Sequence, residues 1–212
     1  MAKKKKQQNI PGIVITVIAA LLAIAAVVFL VITLSDREGG GQPAITTEDP
    51  GFVPTDELIS ETEQAAYELL PENYKVYQYL TLGMSVKEEP YGNLPEDGFY
   101  TCVNEKYPTF EAFSEYVRSI YISATAEKLL TDPFGKGAVY GNDNGELGLS
   151  VDFVASTEEG LSWADVNFTC TPISADECEV DVVLKDAAGK DVTKSVSMIL
   201  EDGKWKLSDL IG

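Results

Sequence analysis

The side chains that could do chemistry in this chain are carboxylates, tyrosines and three cysteines, because histidine is absent from all 212 residues. Without imidazole, neither a Ser-His-Asp triad nor a Cys-His nucleophile can be assembled, and zinc sites with histidine ligands are excluded as well. General acid-base catalysis would therefore have to use carboxylates, tyrosine or lysine.

Neighbouring acids are the first candidates for such catalysis. Glu158 and Glu159 form one pair, and the run from Asp176 to Asp181 forms a larger cluster. A glycosidase-like mechanism needs two carboxylates that converge about 5 to 10 Å apart in a cleft. Adjacent acids in loops or on the outer face of a strand are usually solvated. We therefore expect no catalytic residues, no cofactor and no enzymatic activity.

The acidic turn from Asn142 to Glu146 resembles a calcium-binding loop. Placing Gly145 at the sixth position of an EF-hand loop puts Tyr140 at the first position and Val151 at the twelfth. Neither residue supplies a carboxylate. The turn therefore predicts an ordinary hairpin, and we expect no metal site.

The three cysteines are Cys102, Cys170 and Cys178. If Cys170 and Cys178 flank a hairpin loop centred on Ser174, they face each other across two antiparallel strands, and a disulfide between them is geometrically conceivable. An odd number of cysteines leaves Cys102 unpaired, and a buried free thiol packs like a small hydrophobe. The oxidised and reduced states of the pair both stay open.

Aromatic residues suggest a binding surface. The stretch from Asn73 to Met84 is rich in tyrosine, which fits either a ligand-facing wall or core packing with hydroxyls at the rim. Trp163 falls in a strand pattern and fits either the core or a binding anchor. The predicted partner- or ligand-binding residues are Tyr74, Tyr77, Glu158, Glu159 and Trp163.

The chain's longest apolar stretch predicts on which side of a membrane the following residues lie. Ile13 to Leu34 carries no charge, and its twenty-two residues as a helix would cover roughly 33 Å, enough for a bilayer core. Lys3 to Lys6 precede this stretch, whereas Arg37 is the only basic residue in the next forty positions. The positive-inside rule places residues 1–9 in the cytoplasm and the remaining chain outside the cell membrane.

A cleaved signal peptide is the alternative to this single-pass anchor. Signal cores are typically about 7 to 15 residues long and end in a small-x-small site. The stretch here is longer and ends in Val31-Ile32-Thr33-Leu34-Ser35. We therefore predict an uncleaved transmembrane helix over residues 10–34.

The rest of the chain divides into a tether and one domain. Residues 35–54 are rich in glycine, proline and acids, which predicts a flexible tether. Residues 55–212 suit one compact extracellular domain. After the apolar stretch the chain holds 12 basic and 34 acidic residues, a net charge near -22. Such a surface repels nucleic acid and attracts cationic partners at low salt.

The domain begins with helical periodicity. Thr55 is a predicted N-cap, and apolar residues at helical spacing run to Leu70, where Pro71 is expected to end the helix. The stretch from Asn73 to Met84 favours a second, buried helix that stops at Gly83. Two shorter helices follow, with Thr109 and Ser123 as their predicted N-caps, after a strand candidate over residues 99–103.

Alternating apolar residues dominate after Gly137. They predict strands joined by hairpin turns, covering residues 147–153, 162–171, 178–184, 192–200 and 205–210. Helices followed by an antiparallel meander give an α+β fold.

Four local strings carry a family resemblance. They are Glu68 to Tyr74, Tyr107 to Phe113 leading into Tyr116-Val117, Ala126 to Leu130, and Asp202 to Leu207. Together they resemble the IseA family of peptidoglycan DL-endopeptidase inhibitors from Gram-positive bacteria, over roughly Thr55 to Gly212. More loosely, helices packed on a curved antiparallel sheet that ends in a Gly-Lys-Trp strand resemble the cystatin-like, nuclear-transport-factor-like superfold.

The resemblance implies an inhibitor that covers the active-site cleft of cell-wall cysteine peptidases and does no chemistry itself. An acidic extracellular domain fits this role, because cell-wall hydrolases are often basic. A secreted inhibitor diffuses through the wall, whereas the anchor would hold this chain within tether reach of the bilayer. The alternative is a module that binds a small ligand or wall fragment on the concave face of its sheet.

Overall fold

The computed structural model describes residues 51–87, 95, 98–158 and 160–212. The predicted membrane helix, the tether as far as Pro50 and the predicted site residue Glu159 lie outside the described residues. Among the described residues, no helix combines the length and the apolar character needed to cross a bilayer. The chain from Gly51 to Gly212 forms one compact unit.

A long helix opens this unit. Helix α1 spans Asp56–Leu82 and begins at the predicted cap, where the hydroxyl oxygen of Thr55 accepts a hydrogen bond from the Leu58 N–H at 3.2 Å. The predicted break at Pro71 is wrong, because Pro71 lies inside the helix. A proline removes one backbone hydrogen bond, whereas the residues on both sides of it bury a continuous face against the core. The predicted stop at Gly83 is confirmed.

Two shorter helices lie between the strands. Helix α2 spans Phe110–Ile120 and is capped by Thr109 as predicted. Helix α3 spans Ser123–Thr131, but the prediction that Ser123 caps it is wrong, because Ser123 is already helical. The carboxylate of Glu201, distant in sequence, accepts hydrogen bonds from the Ser123 N–H at 3.2 and 3.3 Å. A long-range carboxylate therefore satisfies the start of α3.

The strands form two antiparallel sheets instead of the predicted single meander. The smaller sheet has the order β1-β3-β2, with β1 at Phe99–Thr101, β2 at Tyr140–Asp143 and β3 at Glu146–Ser150. The predicted hairpin at Asn144-Gly145 joins β2 to β3. Strand β3 ends at Ser150, earlier than predicted, and the chain then leaves the sheet.

The larger sheet is a four-stranded meander in the order β4-β5-β6-β7. Its strands are β4 at Ser162–Pro172, β5 at Glu177–Lys185, β6 at Asp191–Glu201 and β7 at Lys204–Leu207. Helices packed on curled antiparallel strands confirm the predicted α+β class.

The core fills the inner face of the larger sheet. On β5, four residues that alternate along the strand are at most 1% exposed: Cys178, Val180, Val182 and Leu184. Buried residues of α1 on both sides of Pro71 belong to the same core. The inner sheet face is therefore occupied by protein side chains, and the open surfaces lie at its rim.

Candidate functional site

Three open hollows meet at the C-terminal half of α1. Tyr77, Ser156 and Glu158 line all three of them. The structure therefore brings together two of the predicted site residues, Tyr77 and Glu158, which are far apart in sequence. We call this surface the Tyr77 site.

The largest hollow has a volume of about 540 Å³. Its walls come from α1, from residues 134–139 after α3 and from residues 150–158 after β3. The second hollow, of about 400 Å³, extends from Tyr77 towards Tyr74 and Ser162, and the third, of about 250 Å³, reaches Lys194 on β6. All three are open to solvent, as expected of a surface that receives part of another molecule.

Backbone hydrogen bonds hold the segment after β3 against α1. The N–H of Ser156 donates to the carbonyl oxygen of Thr81 at 2.7 Å, and the hydroxyl oxygen of Ser156 accepts from the Glu158 N–H at 3.2 Å. These bonds fix Glu158 beside the last turns of the helix. The carboxylate thus reaches the site from a loop on a rigid support.

A glycine lets the same segment pack closely. Gly83 ends α1 with φ +75°, and a Cβ atom placed there would lie 2.7 Å from Cε1 of Phe153. Only glycine adopts this conformation without strain and also leaves room for the ring. Phe153 thereby lines the largest hollow.

Tyr77 itself lies between two further glycines. Its hydroxyl oxygen would be 3.1 Å from a Cβ at Gly160, and its ring would overlap a Cβ at Gly212. The side chain is half-buried, and its hydroxyl has no hydrogen-bond partner among the residues that the structure describes. The ring is thus positioned by packing, while the hydroxyl is available to a partner.

The other predicted aromatics lie next to this surface. Tyr74 stacks on Trp163 with ring centroids 5.1 Å apart and an interplanar angle of 19°. Trp163 packs against the core, and its indole N–H is buried without a hydrogen-bond partner in the described part of the chain. Tyr74 lines the second hollow, so Trp163 supports this surface from behind.

Charge and apolar surface alternate around the hollows. Lys136 and Asp152 line the largest one, and Lys194 shares the smallest one with Glu158. The rim exposes Val154 at 85% and Phe134 at 46%. A mixed polar rim with exposed apolar side chains is typical of a protein-binding surface.

The cysteines do not provide an activated nucleophile. Burial raises the pKa of Cys102 to about 11 and that of Cys170 to about 12, and it also raises the pKa of Cys178. Reactive thiols have a lowered pKa. These three are protonated at neutral pH and lie outside the Tyr77 site.

Cys170 and Cys178 do not face each other directly. Cys170 is opposite Val180 and Cys178 is opposite Pro172, so the hairpin is centred on Ala175, one residue beyond the predicted Ser174. The two cysteines are diagonal neighbours, a less favourable arrangement for a bridge. All three cysteines are free thiols in this structure.

The acidic run after Asp176 makes local contacts. The Asp181 carboxylate accepts a hydrogen bond from the Ser195 hydroxyl at 2.5 Å, and the Glu177 carboxylate accepts one from Ser197 at 3.4 Å. These residues alternate with buried ones along β5, so they lie on the outer face of the sheet. Among the described residues, no group of three or more potential ligands could hold a metal ion.

Sequence patterns missed several residues of the Tyr77 site. Ser156, Phe134 and Val154 lie in loops without periodicity, and only the folded chain brings them to α1. A large apolar residue in a loop is the signal that could have indicated Phe134 and Val154, whereas no signal marks Ser156. A comparison with models of protein families finds no matching family, and a comparison with curated proteins finds no significant match.

Proposed function

We propose that this chain is a membrane-anchored extracellular binding protein that inhibits or regulates cell-wall DL-endopeptidases through the Tyr77 site. The observation that carries the proposal is the convergence of three open hollows on Tyr77, Ser156 and Glu158, bordered by exposed Phe134 and Val154. This surface is large enough to receive a protein loop, and it presents both apolar and acidic groups.

Charge supports a cationic protein partner. Residues 51–212 hold 11 basic and 30 acidic residues, a net charge of -19. Such a domain attracts a basic hydrolase over several ångströms and disfavours nucleic acid. The resemblance to the IseA family, and more loosely to the cystatin-like superfold, supports a peptidase as the partner.

Binding is favoured over catalysis by the state of the titratable groups. The thiols have raised pKa values and are not poised for attack. Burial acts to raise the pKa of Glu72, but hydrogen bonds from Lys75 and Tyr116 outweigh it and lower the pKa of this carboxyl. Glu72 therefore serves as an ion-pair partner and not as a proton donor.

Membrane attachment belongs to the same proposal. The apolar stretch Ile13 to Leu34 would anchor the chain as a single-pass helix, with the lysine tail inside the cell and the domain outside. Protease added to intact cells should remove the domain. Protection of the domain from protease, or a mature chain that starts after Leu34, would contradict this topology.

Inhibition is tested with the full chain in detergent. Peptidoglycan digestion by a basic DL-endopeptidase should slow when the chain is added, and the effect should decrease with salt. Tyr77→Ala and Glu158→Lys should each weaken inhibition, whereas Glu115→Lys on the exposed side of α2 should not. If the unmodified chain left several such endopeptidases fully active at micromolar concentration, we would abandon inhibition.

A small ligand or wall fragment is the second candidate. Tyr74 and Tyr77 line the hollow of about 400 Å³, a size that accepts a sugar or short peptide. Soluble muropeptides that bind in the absence of any hydrolase, and that lose affinity in Tyr74→Ala, would favour this alternative. The inner sheet face is filled by core residues, so such a ligand would occupy the rim.

A further inference from the structure

Strand β4 is an edge of the larger sheet. It pairs with β5 on one side only, and no described strand pairs with its other side. In an antiparallel pair, every second residue directs its backbone N–H and C=O away from its partner. The regular part of β4, residues 167–171, therefore offers backbone donors and acceptors to another strand, whereas Pro172 has no N–H to donate.

A groove runs beside this edge. Residues from both faces of the strand, Phe168 and Cys170 on the inner face and Thr169 on the outer face, line a hollow of about 540 Å³. The opposite wall is the exposed side of α1, formed by Ser60, Glu63, Gln64 and Tyr67. Because inner and outer residues share the hollow, it lies at the strand's edge and not beneath the sheet.

The groove is both fixed and accessible. The Cys170 thiol donates to the carbonyl oxygen of Thr62 at 3.7 Å, which ties β4 to α1. Tyr67 is 69% exposed and stands as a side wall. A helix that flanks a free strand edge is the arrangement in which proteins capture an extended peptide by strand addition.

Charge identifies the occupant. Among the residues that the structure describes, Glu63 is the only charged one that lines the hollow, and Asp165 is the only charged residue on β4. A second copy of this chain would bring together two domains of net charge -19, and residues 35–50 of the chain itself hold four acids against one arginine. Both are disfavoured by repulsion.

We propose that the edge of β4 binds an extended, lysine- or arginine-bearing peptide segment of a partner protein as a fifth strand. Its backbone pairs with residues 167–171, and its basic side chains face Glu63 over the groove. Tyr67 packs against the aliphatic stems of these basic side chains, and the alternate side chains of the peptide point to the outer face of the sheet. The surface is distinct from the Tyr77 site, so the partner is held whether or not that site is engaged.

The test uses the full chain in detergent and a synthetic peptide of alternating lysine and valine. A second peptide has the same side chains but N-methyl groups on alternate backbone nitrogens, which blocks pairing without changing charge. Binding is measured by fluorescence anisotropy, and hydrogen exchange is followed in residues 162–172. We expect the first peptide to bind and to slow exchange there, and the methylated peptide to bind much more weakly.

Variants locate the contact. Glu63→Lys replaces an attraction by a repulsion and should weaken peptide binding about five- to tenfold, and Tyr67→Ala should also weaken it. Glu115→Lys makes the same charge change on α2 and should leave binding within about twofold. The Tyr77→Ala variant should bind the peptide normally, which separates this surface from the Tyr77 site.

Several outcomes would overturn the proposal. Equal affinity for the methylated peptide would show that only charge is recognised. Binding without slower exchange in β4 would place the peptide elsewhere. Slow exchange in β4 that depends on protein concentration, without peptide, would make a second copy the occupant.

Discussion

Asn73 and Tyr77 lie one turn apart on α1 and both contact the last residues of the chain, yet their surroundings differ completely. Asn73 is fully buried. Its Nδ2 donates to the carbonyl oxygen of Ile211 at 2.9 Å, and its Oδ1 accepts from the Tyr121 hydroxyl at 2.9 Å and from the Ile211 N–H at 3.0 Å. Tyr77 packs against Gly212 but keeps an unpaired hydroxyl among the described residues.

The difference separates a position that specifies the fold from one that the proposed function assigns to binding. Both polar atoms of the Asn73 side chain have partners inside the protein, so removing the amide leaves buried groups unpaired. At Tyr77 the protein supplies shape alone, and under the proposed function the hydroxyl is available to a bound molecule.

The largest expected effect comes from Asn73→Leu. The substitution keeps the size of the side chain. It leaves the Tyr121 hydroxyl and the backbone N–H and C=O of Ile211 without their hydrogen-bond partners. We expect the free energy of unfolding to fall by about 3 to 5 kcal/mol, because each buried unpaired group costs about 1 to 3 kcal/mol. Urea unfolding followed by circular dichroism measures the loss.

Gln64→Leu provides the matched control for this substitution. Gln64 is exposed, and its one hydrogen bond joins it to Glu68 on the same helix at 2.6 Å. Its loss should cost no more than about 0.5 kcal/mol. Similar losses in both variants would mean that the buried network around Asn73 does not specify the fold.

Cys102 is a second buried group whose effect on stability can be measured, because its thiol titrates at alkaline pH. Burial, with a further contribution from Asp143, raises the pKa of Cys102 from 9.0 to about 11. The folded state then binds its proton more tightly than the unfolded state, so this stabilisation is complete below pH 9 and is lost as the pH rises through 11. Its size is on the order of 2 kcal/mol, because one pKa unit corresponds to about 1.4 kcal/mol.

The Cys102→Ala variant isolates this effect. Tyrosines and lysines also titrate at alkaline pH, so the quantity to compare is the slope of unfolding free energy against pH between 9 and 11. The variant should lose less stability over this range than the unmodified chain. Identical slopes would show that the thiol titrates no differently in the folded and unfolded states.

Local sequence patterns correctly predicted those features of the fold that depend on interactions between neighbouring residues. The caps at Thr55 and Thr109, the stop at Gly83 and the Asn144-Gly145 turn each depend on one or a few neighbouring residues, and all are confirmed. Where a distant group intervenes, the patterns were wrong. Tertiary packing outweighs the proline inside α1, and Glu201 supplies the cap that was assigned to Ser123.

The Tyr77 site likewise depends on contacts between remote segments, which local sequence patterns do not reveal. Tyrosine density indicated Tyr74 and Tyr77, and adjacent acids indicated Glu158. Nothing in the local sequence shows that residues 134–139 and 150–158 converge on one helix, because hydrogen bonds between remote segments, such as Ser156 to Thr81, bring them there. The residues were partly predictable, whereas the cavity they form was not.

The smallest expected effect on stability comes from Tyr77→Phe, which tests whether the Tyr77 hydroxyl contributes to the fold. The substitution keeps the ring that packs against Gly212 and removes only the hydroxyl beside Gly160. Since this hydroxyl has no hydrogen-bond partner among the described residues, the free energy of unfolding should change by less than about 0.5 kcal/mol. Partner binding should weaken instead, if the hydroxyl contacts the bound molecule. A loss of stability above about 1 kcal/mol would mean that Tyr77 is part of the internal network, as Asn73 is, and would remove the physical distinction between the two turns.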